Sequence, residues 1–319
     1  MQLSRFIIAI ALVPSALRAD VTIRYKNEVN LGVLQNATRG AVFSIPQLSL
    51  MRVKGAKASA GMGAFASLID TGSGQIMLID SQHKTYATAA LKDYADKMAS
   101  AIPQPAVSAE AKNVLDSMKT TTSVNKTGRT MVIQGIQADE IEFTLSVNMG
   151  APAPSQQPAV TIPAVTMKAV MQFWTARPDE ALRHPALREL AGYGAYARLL
   201  LNPMDSIQKI LSSLPLVSQD AFAKVQELSQ NTPLILKSHT EISMPMMMQS
   251  AQQSDPHSLP GGLDPNRPLM ETNSEVIEIS TDPIEDSTFE VPPDLQPVTL
   301  ADFRKAITAN LVTPVASAK

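Results

Sequence analysis

The sequence predicts an α+β fold in which a large antiparallel β-sheet is accompanied by a few helices. Several segments alternate apolar and polar residues, which places one set of side chains on each face of a strand. Amphipathic helical stretches fall in two blocks between these segments, an arrangement typical of the α+β class. The chain has no cysteine among its 319 residues, so its stability must come from an apolar core, which 45% hydrophobic residues can supply.

Residues 1–19 have the layout of a secretory signal peptide. Arg5 supplies positive charge, residues 6–13 (FIIAIALV) form an apolar run, and the segment ends in a small residue. We expect cleavage between Ala19 and Asp20 and an exported protein, periplasmic or secreted; a buried N-terminal strand is the alternative. No later stretch reaches the roughly 20 apolar residues of a membrane-spanning helix, so we expect no transmembrane segment in the mature chain.

Strands are predicted along most of the chain, and their number favours an antiparallel meander. The first has Val21, Ile23 and Tyr25 on one face, and a later one alternates from Glu140 to Leu145. The longest runs over residues 165–173, where Met167, Ala169, Met171 and Phe173 share one face. Weaker strand candidates are Leu48 to Val53, Ala66 to Asp70, Gln75 to Asp80, Thr121 to Asn125, Arg129 to Ile133, Leu234 to Ile242 and Ser274 to Ser280.

Helices are predicted where apolar residues recur at helical spacing, over residues 206–214 and 218–228 and, more briefly, over 91–98. Residues 178–190 read as two helical turns broken at Pro185. Near the end of the chain, Thr299 and Asp302 have the spacing of a capping box, which predicts the start of a short helix.

Two Pro-rich or Met-rich segments, residues 148–163 and 243–268, are interpreted as long loops because neither can propagate a helix or a strand ladder. Strand-like sequence flanks each of them, so we place both inside one domain that spans residues 20–319. The alternative is that one of them links two domains.

The charge balance and the motifs exclude several function classes. A net charge of −2 gives no basic excess for nucleic acid. The histidines stand far apart, with no metal-ligand spacing, and no nucleophile elbow or phosphate-binding glycine loop occurs. We therefore predict no nucleic-acid partner, no metal, no cofactor and no enzymatic activity. The four histidines are His83, His184, His239 and His257.

One motif suggests catalysis, because Asp70-Thr71-Gly72-Ser73 resembles the active-site loop of aspartic proteases. In those enzymes two aspartates share one proton and activate a water molecule. No second Asp-Thr-Gly or Asp-Ser-Gly occurs in the chain, so a protease would have to be a homodimer in which two copies of Asp70 face each other. The competing interpretation is the turn of a β-hairpin, which the Asp, Gly and Ser composition favours.

A methionine cluster at residues 244–248 suggests a copper site, because thioethers can hold Cu(I) in an exported protein. Its members are Met244, Met246, Met247 and Met248, with His239 upstream and His257 downstream. The alternative is a flexible apolar loop, since methionine adapts to irregular apolar surroundings.

The order of features along the chain resembles that of exported bacterial proteins related to the lipoprotein carrier LolA, including an uncharacterised family known only as a domain of unknown function. The segments that carry the resemblance are Asp20 to Lys26, Met51 to Val53, the hairpin from Leu68 to Asp80 with Lys84 to Tyr86, Asn125 to Gly128 with Ile133 to Ala138, Phe173 to Thr175 and Asp286 to Pro292. The resemblance implies a strongly curved antiparallel sheet, a half-open barrel, whose concave apolar face is covered by helices and can hold acyl chains.

These observations lead to three hypotheses about function. The first is a non-enzymatic periplasmic carrier for a hydrophobic ligand such as a lipid or acyl chain, with a cavity lined by Met167, Ala169, Met171 and Phe173. The same residues can equally form a solid core. The second is a cell-envelope module that binds or senses another protein through an exposed apolar loop near residues 244–248. The third is the homodimeric aspartic protease.

Overall fold

β-Strands account for most of the residues that the computed structural model describes, which are 20–30, 47–94, 118–149, 167–190, 234–243, 268–303 and 305–306. The described strands form one twelve-stranded sheet, so the sheet-rich part of the prediction is confirmed. The predicted signal peptide, the two longer predicted helices and the methionine cluster lie outside the described residues.

The first half of the sheet is a meander of six antiparallel strands in sequence order, each hydrogen-bonded to the next. A short turn connects each strand from β2 to β6 with the next. The residues that flank these turns pair directly, Lys54 with Lys57 and Asp70 with Gln75. The strands are β1 (Val21–Asn30), β2 (Leu48–Lys54), β3 (Lys57–Met62), β4 (Phe65–Asp70), β5 (Gln75–Asp80) and β6 (Thr85–Ala90).

The second half is a meander of five longer antiparallel strands. Its first hairpin turns at Gln134 and Gly135, which both have positive φ, at 51° and 78°. Two such residues in succession make the turn whose twist matches that of the flanking strands. The strands are β7 (Met118–Ile133), β8 (Ile136–Met149), β9 (Met167–Ala176), β10 (Ile235–Ser243) and β11 (Met270–Ser280).

The two meanders join where β1 pairs with β11, from Thr22 opposite Ser280 to Asn30 opposite Glu271. We call this pairing the seam; it contains a register shift between Arg24 and Tyr25. One pair departs from the predicted antiparallel pattern, because the short strand β12 (Gln296–Pro297) runs parallel to β6.

Some predicted boundaries are wrong. The loop predicted over residues 148–163 begins too early, because Asn148 and Met149 still pair with β7. The loop predicted over 243–268 likewise includes Ser243, which pairs with Lys168 of β9. In β8 the apolar alternation itself continues through Val147 to Met149, whereas in β10 the pairing with β9 extends the strand one residue past Ile242. Thr121 to Asn125 and Arg129 to Ile133 are parts of one strand, β7, which continues through an irregularity between Lys126 and Thr130.

The described helices are short. Helix α1 (Pro178–Arg183) begins with proline in its first turn, and a second helical stretch covers residues 185–190, so the predicted break at Pro185 is confirmed. A 3-10 helix covers Asp286–Phe289. The predicted helix start near the C-terminus is also confirmed, because the Asp302 amide donates to Thr299 Oγ1 at 3.1 Å.

Buried apolar side chains fall mainly into one large cluster, here called the main core, which draws on both meanders. It holds Ile23 of β1 and Ile76 of β5, together with Ile136 of β8 and Val276 of β11. Because the seam brings β1 and β11 side by side, residues far apart in sequence bury the same surface, and this burial is the main favourable term in folding.

Candidate functional site

The four predicted cavity residues lie where β9 runs between β8 and β10. Ala169, Met171 and Phe173 are 4%, 2% and 4% exposed, and Met167 is partly buried at the end of the row. Since alternate residues of a strand share a face, the structure brings all four to one side of the sheet. Their common face is therefore confirmed, whereas their role as a ligand wall stays a prediction.

The neighbouring strands complete this apolar surface. In β8, Leu145 stands opposite Ala169 and Phe143 opposite Met171, and both β8 side chains are fully buried. We call the set of Phe143, Leu145, Ala169, Met171 and Phe173 the β9 cluster. The sequence placed Phe143 and Leu145 in a strand but did not pair that strand with β9. The signal available for this pairing was that both segments alternate apolar and polar residues and follow one another along the chain.

The β9 cluster is separate from the main core. Val124 of β7 and both Ile235 and Ile242 of β10 are partly buried against it. The described residues thus hold three apolar clusters, because Leu68, Ile79 and Leu295 form a further small one.

Next to the β9 cluster, the same face becomes polar but uncharged. Cross-strand partners share a face, and Met171 pairs with Thr240 while Phe173 pairs with Ser238. The rows continue across β11 and β1, where Ser238 is followed by Ser274 and Asn27. We call this region the hydroxyl strip, and it comprises Ser238, Thr240, Thr272, Ser274 and Asn27.

The opposite face of β8 to β11 and β1 carries charges in rows, and we call it the charged face. One row runs from Glu140 through Trp174, Lys237 and Glu275 to Lys26, each a direct partner of the next. Lys237 Nζ lies 2.8 Å from Glu275 Oε2. The expected sheet with one dry and one wet face is therefore present away from the β7–β8 turn; near that turn Ile136, Ala138 and Ala176 bury the same face in the main core.

Glu140 is the most buried carboxylate of that face. Its Oε2 accepts hydrogen bonds from the Thr127 hydroxyl at 2.6 Å and from Arg129 Nε at 2.5 Å. The Arg129 guanidinium also lies 6.0 Å from the centre of the Trp174 ring, within the range of a cation–π contact. The group therefore fixes the irregular part of β7 onto β8 and β9.

Asp70 lies at the turn between β4 and β5, so the hairpin interpretation of the Asp-Thr-Gly-Ser motif is confirmed. Its Oδ1 accepts from the Gly72 amide at 2.8 Å and from the Ser73 amide at 3.2 Å. Burial acts to raise the pKa of this carboxyl, but the Ser73 and Gly72 hydrogen bonds outweigh it and lower the pKa. Asp70 thus has the contacts of a turn residue, and we propose no catalytic role for it.

The next turn, between β5 and β6, repeats this arrangement with a more buried carboxylate. Asp80 is 1% exposed, and its Oδ1 accepts from the Gln82 and His83 amides, each at 3.0 Å. Its Oδ2 lies 2.7 Å from His83 Nδ1. The sequence analysis did not identify this turn. The available signal was an aspartate that follows an apolar strand and precedes polar residues, as at Asp70.

At the start of β1, one lysine holds three chain segments together. Lys54 Nζ lies 2.9 Å from Asp286 Oδ1 and 3.8 Å from Asp20 Oδ2. The hydrogen bond to Asp286 raises the pKa of Lys54, and the same bond lowers the pKa of Asp286. Asp20 in turn accepts from the Ile284 amide at 2.7 Å, so the first described residue meets the segment that follows β11.

The copper hypothesis concerns residues that are not described, apart from His239 in β10. His239 Nδ1 lies 2.8 Å from Asn273 Oδ1 and 3.7 Å from Glu271 Oε1. Within the described ranges, no three His, Asp or Glu side chains group in a way that could hold a metal ion. In the same ranges no helix has the length and apolar character needed to span a bilayer.

Comparison with known proteins identifies no family. No family model matches the chain, and no curated protein matches it. Among solved structures, one of PNGF-II is similar with a TM-score of 0.34 and 7% identity, over 92% of this chain and 33% of that chain. This chain spans about a third of that protein's length, and so low a TM-score carries no argument about fold or function.

Proposed function

We propose that this protein is a non-enzymatic carrier that binds a hydrophobic ligand, such as a lipid acyl chain, after export to the periplasm. The observation that supports the proposal is the β9 cluster, a group of buried apolar side chains that is separate from the main core and continuous across two long strands. Ligand sites are lined predominantly by apolar and aromatic side chains, and the β9 cluster has this composition.

The chemistry of the β9 cluster suits an acyl chain. Phenylalanine, leucine and methionine offer only dispersion contacts and no charge, and methionine adapts to ligands of varied shape. Each methylene that a ligand buries in such surroundings is worth about 0.8 kcal/mol, so about 16 methylenes supply roughly 13 kcal/mol, enough for about micromolar binding where the cost of association is about 4–5 kcal/mol. In the proposed arrangement, the sheet curves as a half-open barrel and helices close the ligand between themselves and β9.

Native mass spectrometry of the mature protein, purified from its exported fraction, tests the proposal directly. Organic extraction and lipid analysis of the same sample then identify what is bound. We expect a co-purifying hydrophobic species at near-stoichiometric amounts. A clean apo mass, together with no uptake of added lipid, would refute the carrier.

A pair of adjacent substitutions separates ligand loss from general damage. Ala169→Phe places a phenyl ring on the apolar face at the β9 cluster, whereas Val170→Phe places the same ring on the charged face one residue away. We expect the first variant to lose bound lipid and the second to keep it, with thermal unfolding showing that both remain folded. Equal lipid content in the two variants would show that the β9 cluster is not the binding surface.

A second candidate function is the envelope interaction module, which one observation favours. Strand β7 has 16 residues and is the last strand in the order of the described sheet. A long strand at the end of a sheet can accept a strand of another protein. A photo-crosslinking residue at Ser123 of β7 would then yield one discrete crosslinked product in cells, and the same residue at Gln82 in the β5–β6 turn would yield none.

A further inference from the structure

We propose that residues 281–298, here called the strap, detach from the sheet as one unit while the rest of the sheet stays folded. The strap follows β11, is held first beside the start of β1 and the end of β2, and ends beside β6. It therefore crosses the first meander, and its release bares apolar side chains of β4 and β5. The inference concerns a conformational device and is independent of the proposed carrier function.

The strap covers the face of the first meander that is turned away from the main core. Leu68 of β4 and Ile79 of β5 lie on this face, whereas Ile69 and Ile76 of the same strands point into the main core. Leu295 of the strap forms one cluster with Leu68 and Ile79, and the three are 8%, 4% and 6% exposed. Because Leu295 belongs to the strap, release of the strap exposes the other two side chains.

The strap is fastened at its start to β1 and β2. The Ile284 amide donates to Asp20 Oδ2 at 2.7 Å, and the Ile284 carbonyl accepts from Lys54 Nζ at 2.5 Å. Lys54 Nζ also lies 2.9 Å from Asp286 Oδ1. One lysine thus contacts two residues of the strap.

The other end of the strap is fastened to β6 and to the turn before it. The Gln296 amide donates to the Lys84 carbonyl and the Val298 amide to the Tyr86 carbonyl, each at 2.8 Å. Lys84 Nζ lies 3.2 Å from Asp294 Oδ2. This strand pairing is short, because β12 has two residues and one of them is a proline, which has no N–H to donate.

The strap is weakly buried along its whole length. Of its 18 residues, twelve are exposed and only Ile284, Phe289 and Leu295 are buried. The two ion pairs are exposed as well, with Asp286 at 77% and Lys84 at 67%, and exposed pairs stabilise little. A segment with few buried contacts and exposed hydrogen bonds opens at a lower free energy than core strands do.

The spacing of the buried side chains is the reason to expect one unit. Ile284, Phe289 and Leu295 are five and six residues apart, so no part of the strap has a core of its own. Once either end is free, one or two buried side chains must hold the remainder. We therefore expect release at one end to be followed by release of the other.

Acid should weaken the first fastening. The hydrogen bond from Lys54 lowers the pKa of Asp286, and Lys57 of β3 acts in the same direction. The other carboxylates that face Lys54 are those of Asp20 and Glu285. Because the pKa of Asp286 is lower in the folded chain than in the unfolded chain, its contribution is present at neutral pH. That contribution is lost below about pH 4, as the pH falls through the lowered pKa.

Hydrogen exchange of the mature protein, read by mass spectrometry with electron-transfer fragmentation, tests whether the strap opens first and as one unit. After correction for intrinsic rates, we expect the amides of Ile284, Gln296 and Val298 to share one rate. That rate should exceed the rates in β4 and β5 at least about 100-fold. Strap exchange as slow as that of β4 and β5 overturns the inference, and so does fast exchange at Val298 beside slow exchange at Ile284.

A pair of matched variants tests the coupling between the two ends. Lys54→Met loosens the start of the strap, so exchange at the distant Val298 should accelerate about 3- to 10-fold together with exchange at Ile284. Lys237→Met removes a comparable ion pair from the second meander, because Lys237 Nζ lies 2.8 Å from Glu275 and is 32% exposed, against 34% for Lys54. This control should leave strap exchange unchanged. An effect of Lys54→Met that is confined to Ile284 overturns the single unit.

A reversible lock tests the release by acid. The chain has no cysteine, so Thr85→Cys combined with Gln296→Cys introduces one disulfide, at a directly paired position of β6 and β12. We expect the reduced form to bind at least about 3-fold more of the apolar dye bis-ANS at pH 3.5 than at pH 7, and the oxidised form to show little increase. Fluorescence of Trp174, the single tryptophan, should not change, because the second meander stays folded. An equal increase in both forms, or one accompanied by a change at Trp174, overturns the release of the strap by acid.

Discussion

The two meanders use the same antiparallel pairing but are stabilised in different ways. Strands β2 to β6 have six or seven residues, whereas β7 to β11 have nine to sixteen. The short strands direct apolar side chains into the main core, and tight turns join them. The long strands carry charge rows on one face and a separate apolar cluster on the other. Both meanders contribute to the main core, the second through residues such as Ile136 and Val276, so they differ in what each adds: tightly connected short strands in the first, charge rows and the β9 cluster in the second.

The largest expected effect is in the first meander. Ile76 of β5 is fully buried in the main core, so Ile76→Ala should lower the free energy of unfolding by about 4 kcal/mol, and Ile76→Val by about 1 kcal/mol. Urea unfolding of both variants measures the loss, which should not depend on salt because no charge is involved. A loss below about 1 kcal/mol for the alanine variant would contradict the placement of Ile76 in the main core.

In the second meander, stability should depend most on the ion pair of the buried Glu140. Arg129→Met leaves the carboxylate without its cation and should cost about 2–3 kcal/mol, less than for a wholly buried pair because the Arg129 side chain is 57% exposed. Glu140→Gln keeps an acceptor for Thr127 and should cost less. If Glu140→Gln is less stable than Arg129→Met, the loss in Arg129→Met does not come from leaving the Glu140 charge buried without a cation.

The two aspartate turns offer a smaller contrast within the first meander. Asp80→Ala removes three contacts of a buried carboxylate and should cost about 2 kcal/mol, whereas Asp70→Ala should cost less than about 1 kcal/mol. Because the pKa of Asp70 is lowered in the folded state, its contribution is present at neutral pH and is lost as the pH falls through that pKa. Thermal unfolding at pH 7 and pH 3 tests both statements, and equal losses for the two variants at pH 7 would contradict them.

The smallest effect at neutral pH concerns Tyr25, which links the meanders near the seam. Its hydroxyl donates to the Ile235 carbonyl over a long 3.5 Å, so Tyr25→Phe should cost about 0.5 kcal/mol at pH 7. Burial raises the pKa of Tyr25, so the folded state resists ionisation, and stability is lost as the pH rises above about 10, where the unfolded chain ionises. The phenylalanine variant should show a smaller alkaline loss; an unchanged alkaline limb would mean that Tyr25 is accessible to water.

The sequence predicted the strands whose faces differ clearly in polarity. Gln75 to Asp80 is a strand with the predicted bounds. The alternate residues Met167, Ala169, Met171 and Phe173 share a face, as expected. By contrast, β3 (KASAGM) and β6 (TYATAA) were not predicted, because they are rich in small residues with little strand preference. These segments become strands because each pairs with the strands on both of its sides. The local residue pattern of a segment contains no information about such pairing.

The candidate site was predictable only in part for the same reason. Alternation along β9 identified Met167 to Phe173, since period two is a local property. The hydroxyl strip depends on which strands stand side by side, and Ser238, Ser274 and Asn27 come from three distant segments. The row to which they belong exists only once the register of the seam is known.

The seam also affects the order in which the chain can fold. Asn27 and Ser274 touch although 247 residues separate them in sequence, and β1 lies between β2 and β11 in the middle of the sheet. Until residues 270–280 arrive, one edge of β1 has no partner strand, so the first meander presents an unpaired edge for most of the time in which the chain emerges. Such late, long-range closure slows folding and favours association with other chains, which makes β1 the segment on which a protective chaperone would act.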